Sequence, residues 1–322
     1  MHKPHRQIKI PKSLYFSFSC WIIDLRQRYF YNHGFKVKRL EEDGIDFLIV
    51  GAMKAGTSTL AEYCRIHPEI EMLPNETRFF ESKGNYNKGL HWYLSKFRFD
   101  YGEKIRGEKS ATYYCTPGAA SRIAKHFPDV KLIWILRDPV KRLYSHYWHT
   151  IKAGRERRPI TKCIYDNLNN KNTKPIFRYL DRSRYIEHVS DYLRFFNRNQ
   201  MLFVLFEDLK RDPLQVVKKV YSFLGVDASI IPPKNMKTNI TRIPLFIPLQ
   251  WGLFQVYSKI ISLVGPNKLL NLFYTKLKNL LKKRKPGYPP MKEYLASILS
   301  YYFAPYNQEL ENLIDIDTKN WQ

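Results

Sequence analysis

The chain has 322 residues with 44% apolar and 15% aromatic side chains, enough to bury a core that offsets ordering entropy, which excludes wholesale disorder and collagen-like or low-complexity structure. Its four cysteines, Cys20, Cys64, Cys115 and Cys163, form no C-x-x-C pair, so neither a zinc cluster nor a dense disulfide framework is indicated, and reduced, buried thiols of a cytosolic protein are expected. Of the net charge of +25, residues 1–40 and 228–292 carry 20, the second stretch with twelve basic residues and no acid; basic appendages on a near-neutral body suit an anionic surface such as a membrane better than nucleic acid.

In chain order, residues 1–44 read as a basic N-terminal extension. Within it Leu14–Ile23 is too short to span a bilayer, and no small-residue cleavage site follows it. Ile45–Val50 (IDFLIV) is the first predicted strand, closed by Gly51. A helix should run from Thr57 or Ser58 to Ile66, where His67-Pro68 stops it. Lys131–Leu136 (KLIWIL) is a second buried strand, and Pro139 opens a helix carrying Arg142, Ser145 and Trp148. An amphipathic helix over Ser183–Phe196 leads to a third strand, Met201–Phe206, and Pro213 opens a helix that ends at Gly225. This alternation predicts an α/β domain with a central, mainly parallel sheet flanked by helices. Residues 244–264 are strongly apolar but interrupted by Pro248, Gly252 and Lys259. Residues 267–285 read as a basic amphipathic helix, with Leu269, Leu270, Leu272, Phe273, Leu277, Leu280 and Leu281 on one face and Lys278 and Lys282 opposite. Such a helix can lie in a membrane interface or cover the domain's own core. Two further helices, Lys292–Phe303 and Pro305–Ile314, precede a tail of residues 316–322.

Gly51-Ala-Met-Lys54-Ala-Gly56-Thr57-Ser58-Thr59 falls where a strand turns into a helix, so loop amides and a helix N-terminus together form an anion cradle. Small residues at Gly51, Ala52, Ala55 and Gly56 let backbone approach the anion. The spacing nearly fits the G-x4-G-K-[ST] loop of nucleoside triphosphatases, but Thr57 holds the lysine position and the lysine stands at Lys54. The next clear strand is followed by Arg137 where a metal-holding aspartate would be sought, which disfavours a magnesium-dependent ATPase. Arg137, with Ser145 eight residues on, can grip one further phosphate. Lys109, in Gly107-Glu-Lys-Ser-Ala-Thr-Tyr113, adds a cation. Glu76, in Pro74-Asn-Glu-Thr-Arg-Phe-Phe80, is either a functional carboxylate beside apolar anchors or a loop carboxylate paired with Arg78.

In this order and spacing the segments resemble the sulfotransferases that use 3′-phosphoadenosine 5′-phosphosulfate, the heparan-sulfate type and related bacterial branches above all, over residues 45–226 and again over 286–315. The resemblance implies a P-loop-like three-layer fold, with a domain over 45–315 that contains 244–285 as a helical insert. It implies that Lys54, Ala55, Gly56, Thr57, Ser58 and Thr59 hold the 5′-phosphosulfate, that Arg137 and Ser145 hold the 3′-phosphate and that Tyr185 meets the adenine. Glu76 becomes the general base, with Lys54 and Lys109 stabilising the leaving phosphate and no metal required. Burial beside Phe79 and Phe80 would raise such a carboxylate's proton affinity. Arg284 and Lys285 fall in a stretch that loosely matches the family's cofactor-closing loop. The implied acceptor is a hydroxyl or amine of a carbohydrate or glycolipid, with a sterol or other lipid-like alcohol as the alternative. The expected setting is bacterial and cytoplasmic, peripheral at the inner membrane, with an anionic membrane surface as a partner and no nucleic acid. Arg78 departs from the family by replacing a frequent His or Gln, and the heparan-sulfate type has no counterpart of the insert. Competing readings are a nucleotide kinase with a degenerate loop and a basic membrane- or nucleic-acid-binding protein with an inactive site.

Overall fold

The computed structural model describes residues 44–97, 104–171, 174–233, 244–280, 287–319 and 321. Within the unit Ile45–Gln322, β1 (Phe47–Gly51) is followed by α1 (Thr57–Ile66), β2 (Ile70–Met72), α2 (Lys83–Tyr86), α3 (Leu90–Leu94), β3 (Ile105–Lys109), α4 (Ala119–His126) and β4 (Lys131–Leu136). Then come α5 (Pro139–Lys152), α6 (Ile160–Leu168), α7 (Tyr185–Leu193), β5 (Met201–Leu205), α8 (Phe206–Arg211) and α9 (Pro213–Leu224). α10 (Ile247–Val264), α11 (Lys268–Leu280) and α12 (Glu293–Ile314) follow. The extension 1–43 and the pair Arg284 and Lys285 lie outside the described residues.

The sheet has the order β2-β3-β1-β4-β5, and every pairing is parallel. β1 is buried along its whole length, as a central strand covered on both faces must be. β2 and β3 were not expected from the sequence. β3, Ile-Arg-Gly-Glu-Lys, carries three charges in five residues, and it fits beside β1 because Gly107 leaves room for the Phe47 ring: a Cβ there would lie 2.2 Å from it. Phe47 and Gly107 are register partners, so the small residue and the large one face each other by design of the pairing.

Helix ends follow the residues that mark them. Asp138 caps α5 by accepting from the Val140 and Lys141 amides, with Pro139 in the first turn. Asp212 caps α9, which stops at Gly225 with φ 83°. Phe206 opens α8 instead of closing the strand before it, and α7 begins at Tyr185, two residues later than expected, after a 3-10 turn over Asp181–Ser183. The two helices expected around Pro305 are one: α12 runs through the proline. Leu299, Phe303, Leu310 and Ile314 are all buried on it, and this seated face offsets the hydrogen bond that proline cannot make.

One core wraps the sheet, and a second joins α5, α6 and α12 through Leu143, Ile151, Cys163, Leu299 and Phe303. Cys64, Cys115 and Cys163 are free thiols, two of them buried. Trp321 is buried too: its ring lies 5.9 Å from that of Tyr185, and its indole N–H donates to Glu207 at 3.4 Å.

Candidate active site

From β1 the chain passes first to β2 and β3 on one side and then to β4 and β5 on the other, so the strand order reverses at β1 and a crevice opens outside its carboxyl end. The loop between β1 and α1 occupies that place. Gly56, with φ 95°, is the N-cap of α1 and offers no side-chain cap; the Thr59 amide turns back to the Gly56 carbonyl at 2.9 Å, and the Thr57 and Ser58 amides at the helix start are left for a ligand. Lys54 has φ 75°, a left-handed conformation that side chains disfavour. Arg137 holds it there, its Nη1 donating to the Lys54 carbonyl at 2.9 Å. The glycines answer first to packing beneath the loop. A Cβ on Gly51 would lie 2.3 Å from the Tyr114 ring, and one on Gly56 would lie 2.9 Å from Phe206.

Positive charge is concentrated around this loop. Burial, with Lys152 and Arg137 nearby, lowers the Lys54 ammonium to about 8. Burial and the field of Lys54, Lys152, Arg155 and Lys278 push His149 down to about 4. Ser145, His149 and Lys152 follow one another at helical spacing along a single face of α5. That spacing was visible in the sequence and would have added His149 and Lys152 to the candidates. The Arg137 guanidinium lies 4.6 Å from the Phe206 ring centroid, and its Nε is buried without a hydrogen-bond partner among the described residues. An orphaned, buried cationic donor beside uncapped helix amides fits a second phosphate of the kind the resemblance implies. Tyr185 is buried, and its hydroxyl donates to the Arg137 carbonyl at 2.9 Å, so it braces the arginine's backbone. Arg142, on the same helix as Ser145, is structural: fully buried, it donates to Ser183 Oγ at 2.6 Å and to the Tyr179 carbonyl at 2.8 Å.

Opposite the loop, the Glu76 carboxylate sits 2.5 Å from Lys109 Nζ, and the same ammonium reaches Ser58 Oγ at 3.5 Å. One cation at the end of β3 thus bridges the carboxylate that follows β2 and the first turn of α1. Arg78 does not pair with Glu76. It grips Glu81 through two nitrogens, at 2.5 and 3.3 Å, and Thr112 Oγ1 donates to the same carboxylate at 2.6 Å. Burial would raise the Glu81 carboxyl, but the hydrogen bonds from Arg78 and Thr112 outweigh it and hold it below the usual range.

The carboxylate surrounded by the Phe79–Phe80 cluster is Glu108, not Glu76. Both phenylalanines turn inward and pack against Tyr93, and Phe80 also meets Tyr113. Neighbouring residues of a strand face opposite ways, so Lys109 reaches the crevice while Glu108 enters the core. Glu108 is fully buried and accepts from the Thr77 amide at 2.6 Å, Thr77 Oγ1 at 2.7 Å, Tyr93 at 2.9 Å and Tyr113 at 3.1 Å. Burial raises its carboxyl to about 7. It anchors Thr77, the residue after Glu76, and so positions the segment that carries Glu76. No local signal in the sequence separated this glutamate from a surface one.

Residues 44–244 match the family model described as the sulfotransferase domain. The chain belongs to the sulfotransferase family. It is 32% identical over 195 residues to the mouse heparan sulfate glucosamine 3-O-sulfotransferase 3B1, covering 61% of this chain and 49% of that protein. It is 33% identical over 191 residues to the Caenorhabditis elegans bifunctional heparan sulfate N-deacetylase/N-sulfotransferase 1, covering 56% of this chain and 22% of that one. The chain thus spans about half the length of the first of these sulfotransferases, or less. Among solved structures, a sulfotransferase from Alicyclobacillus acidocaldarius superposes with a TM-score of 0.64 at 26% identity, covering 87% of this chain and 99% of that chain. The sulfotransferase fold expected from the motifs is therefore the fold observed, with its central parallel sheet and flanking helices.

Proposed function

We propose that the protein transfers the sulfuryl group of 3′-phosphoadenosine 5′-phosphosulfate to a hydroxyl or amine of a carbohydrate. The observation that carries this reading is the Glu76–Lys109–Ser58 bridge, which sets a carboxylate and an ammonium across from an uncapped helix N-terminus. In-line transfer breaks the bond between sulfur and the phosphate oxygen and forms one to the acceptor. The leaving phosphate then gains charge and the acceptor must lose a proton. Glu76 takes the proton, while Lys54, Lys109 and the first-turn amides of α1 neutralise the phosphate; positioning and electrostatics supply most of the rate. Arg137 and Ser145 select the 3′-phosphate, which the orphaned Arg137 Nε supports. The carbohydrate acceptor is supported by the heparan sulfate enzymes among the relatives.

The test is incorporation of labelled sulfate from the donor into a panel of heparan-type and amino-sugar polysaccharides. Wild type should transfer label, and Glu76→Gln should lower turnover by about 10² or more with donor affinity unchanged. Absence of transfer to every glycan tested, or equal turnover by the variant, would overturn the assignment of acceptor or base respectively.

A further inference from the structure

α10 and α11 form a hairpin joined by Gly265-Pro266-Asn267, and the family match ends at residue 244, just before it. Its inner side is seated on the body. Gln250 is buried, the Arg157 guanidinium covers the Trp251 ring at 4.1 Å, and Gly154 makes way for Phe254, where a Cβ would come within 2.6 Å. Tyr257 stacks on Tyr274 with ring centroids 4.1 Å apart, fixing the two helices to each other.

Among the described residues, the outer side is unpartnered. Leu249, Val256, Ile260 and Leu263 recur at steps of seven, four and three residues, a single stripe along α10, and Leu263 is 76% exposed. Leu269, Leu272, Phe273 and Leu280 make a matching stripe on α11, with Leu269 77% exposed. Scattered exposed leucines are ordinary; an exposed apolar stripe along each of two consecutive helices is not. Lys259 and Lys268 stand exposed beside these stripes, Lys276 stands exposed within that of α11, and no acid occurs anywhere in residues 228–292. Nucleic acid would call for cations spread across the contact face, whereas here exposed apolar side chains dominate the face and Lys276 is the one cation among the named stripe positions of α11. No described helix is long and apolar enough to cross a membrane.

We propose that the α10–α11 hairpin docks this protein on an anionic lipid bilayer, its apolar stripes at the acyl boundary and its lysines among the headgroups. The hairpin packs on α5, the helix that carries Ser145 and His149, so docking holds the candidate site near the leaflet and favours acceptors carried there. The docking claim is independent of the reaction assigned to that site.

The full chain would be sedimented with phosphatidylcholine vesicles with and without phosphatidylglycerol, beside Leu263→Asp/Leu269→Asp and Lys259→Gln/Lys268→Gln/Lys276→Gln variants. Far-UV circular dichroism and the urea unfolding midpoint report whether each variant is folded. Wild type should bind anionic vesicles at least about tenfold better than neutral ones, with the preference fading as salt rises. The aspartate variant should lose vesicle binding by about tenfold or more, and the glutamine variant should lose the preference for anionic lipid. If the aspartate variant fails to fold, the glutamine variant alone decides. Wild-type binding by both variants would overturn the proposal. So would equal affinity of wild type for neutral and anionic vesicles, or displacement of bound protein from vesicles by duplex DNA at equal salt.

Discussion

The carboxyl edge of the sheet and the α10–α11 hairpin are both basic, but their cations are held differently. At the edge Arg137 and Lys109 have fixed partners: Arg137 on the Lys54 carbonyl with the Tyr185 hydroxyl behind it, and Lys109 on Glu76. On the hairpin, Lys259, Lys268 and Lys276 are exposed among or beside apolar stripes. Cations locked in place are preorganised for one ligand geometry and need no rearrangement when charge develops. Cations on long, solvated stems around an apolar face suit a fluid anionic surface with no fixed geometry. The same residue types thus support chemistry in one region and adhesion in the other, and substitutions should separate them.

The largest effect is expected at Lys54. Lys54→Ala should reduce sulfate transfer by roughly 10² to 10³, through lost stabilisation of the leaving phosphate, and leave vesicle binding unchanged. The same lysine sets a pH limit. Its ammonium, lowered to about 8 by burial and by Lys152 and Arg137, gains an anionic partner when donor binds, which raises it. Binding therefore takes up a proton above pH 8, and affinity for adenosine 3′,5′-bisphosphate should fall as pH climbs through that value, by up to about tenfold per unit. Labelled-sulfate incorporation and vesicle sedimentation check the first point, and calorimetry on wild type and Lys54→Ala across pH checks the second; a variant with the wild-type pH slope would move the titration to another group.

The smaller effect lies beneath the edge. Glu108 keeps its proton to about pH 7 in the folded chain against 4.5 for an ordinary glutamate, with burial as the cause. A raised folded value gives stability that is fully present below 4.5 and lost as pH rises through 7. Between pH 6 and 8 this one group should remove about 1 kcal/mol. Glu108→Gln should flatten that loss in urea unfolding without altering vesicle binding. A variant as pH-sensitive as wild type would show that Glu108 titrates elsewhere.

What the sequence revealed follows the same division. β1, β4 and β5 were legible as unbroken apolar runs, and the loop, Arg137 and Ser145 stood out because β-to-α turns carry their signal locally. β3 was hidden by its charges, which are tolerated only because Gly107 admits Phe47 and because Glu108 finds four donors contributed by Thr77, Tyr93 and Tyr113. Such long-range compensation leaves no periodic trace. For the same reason the pairing of Glu76 with Lys109, 33 residues apart, could not be read from adjacency, whereas Arg78 pairs locally, with Glu81 three residues on. The amphipathic face of α11 was legible, but whether it covered the core was decided only by tertiary packing, which leaves Leu269, Leu272 and Phe273 exposed.

The central claim is that the carboxyl edge is built for a nucleotide with a 3′-phosphate, and the most direct measurement is calorimetric titration of wild type and Arg137→Ala with adenosine 3′,5′-bisphosphate and with adenosine 5′-monophosphate. Charge-assisted contacts to the extra phosphate should make wild type prefer the bisphosphate by about 1.5 to 3 kcal/mol for each contact, and Arg137→Ala should erase most of that preference while binding the monophosphate nearly as before. Equal affinities of wild type for the two nucleotides would contradict the account.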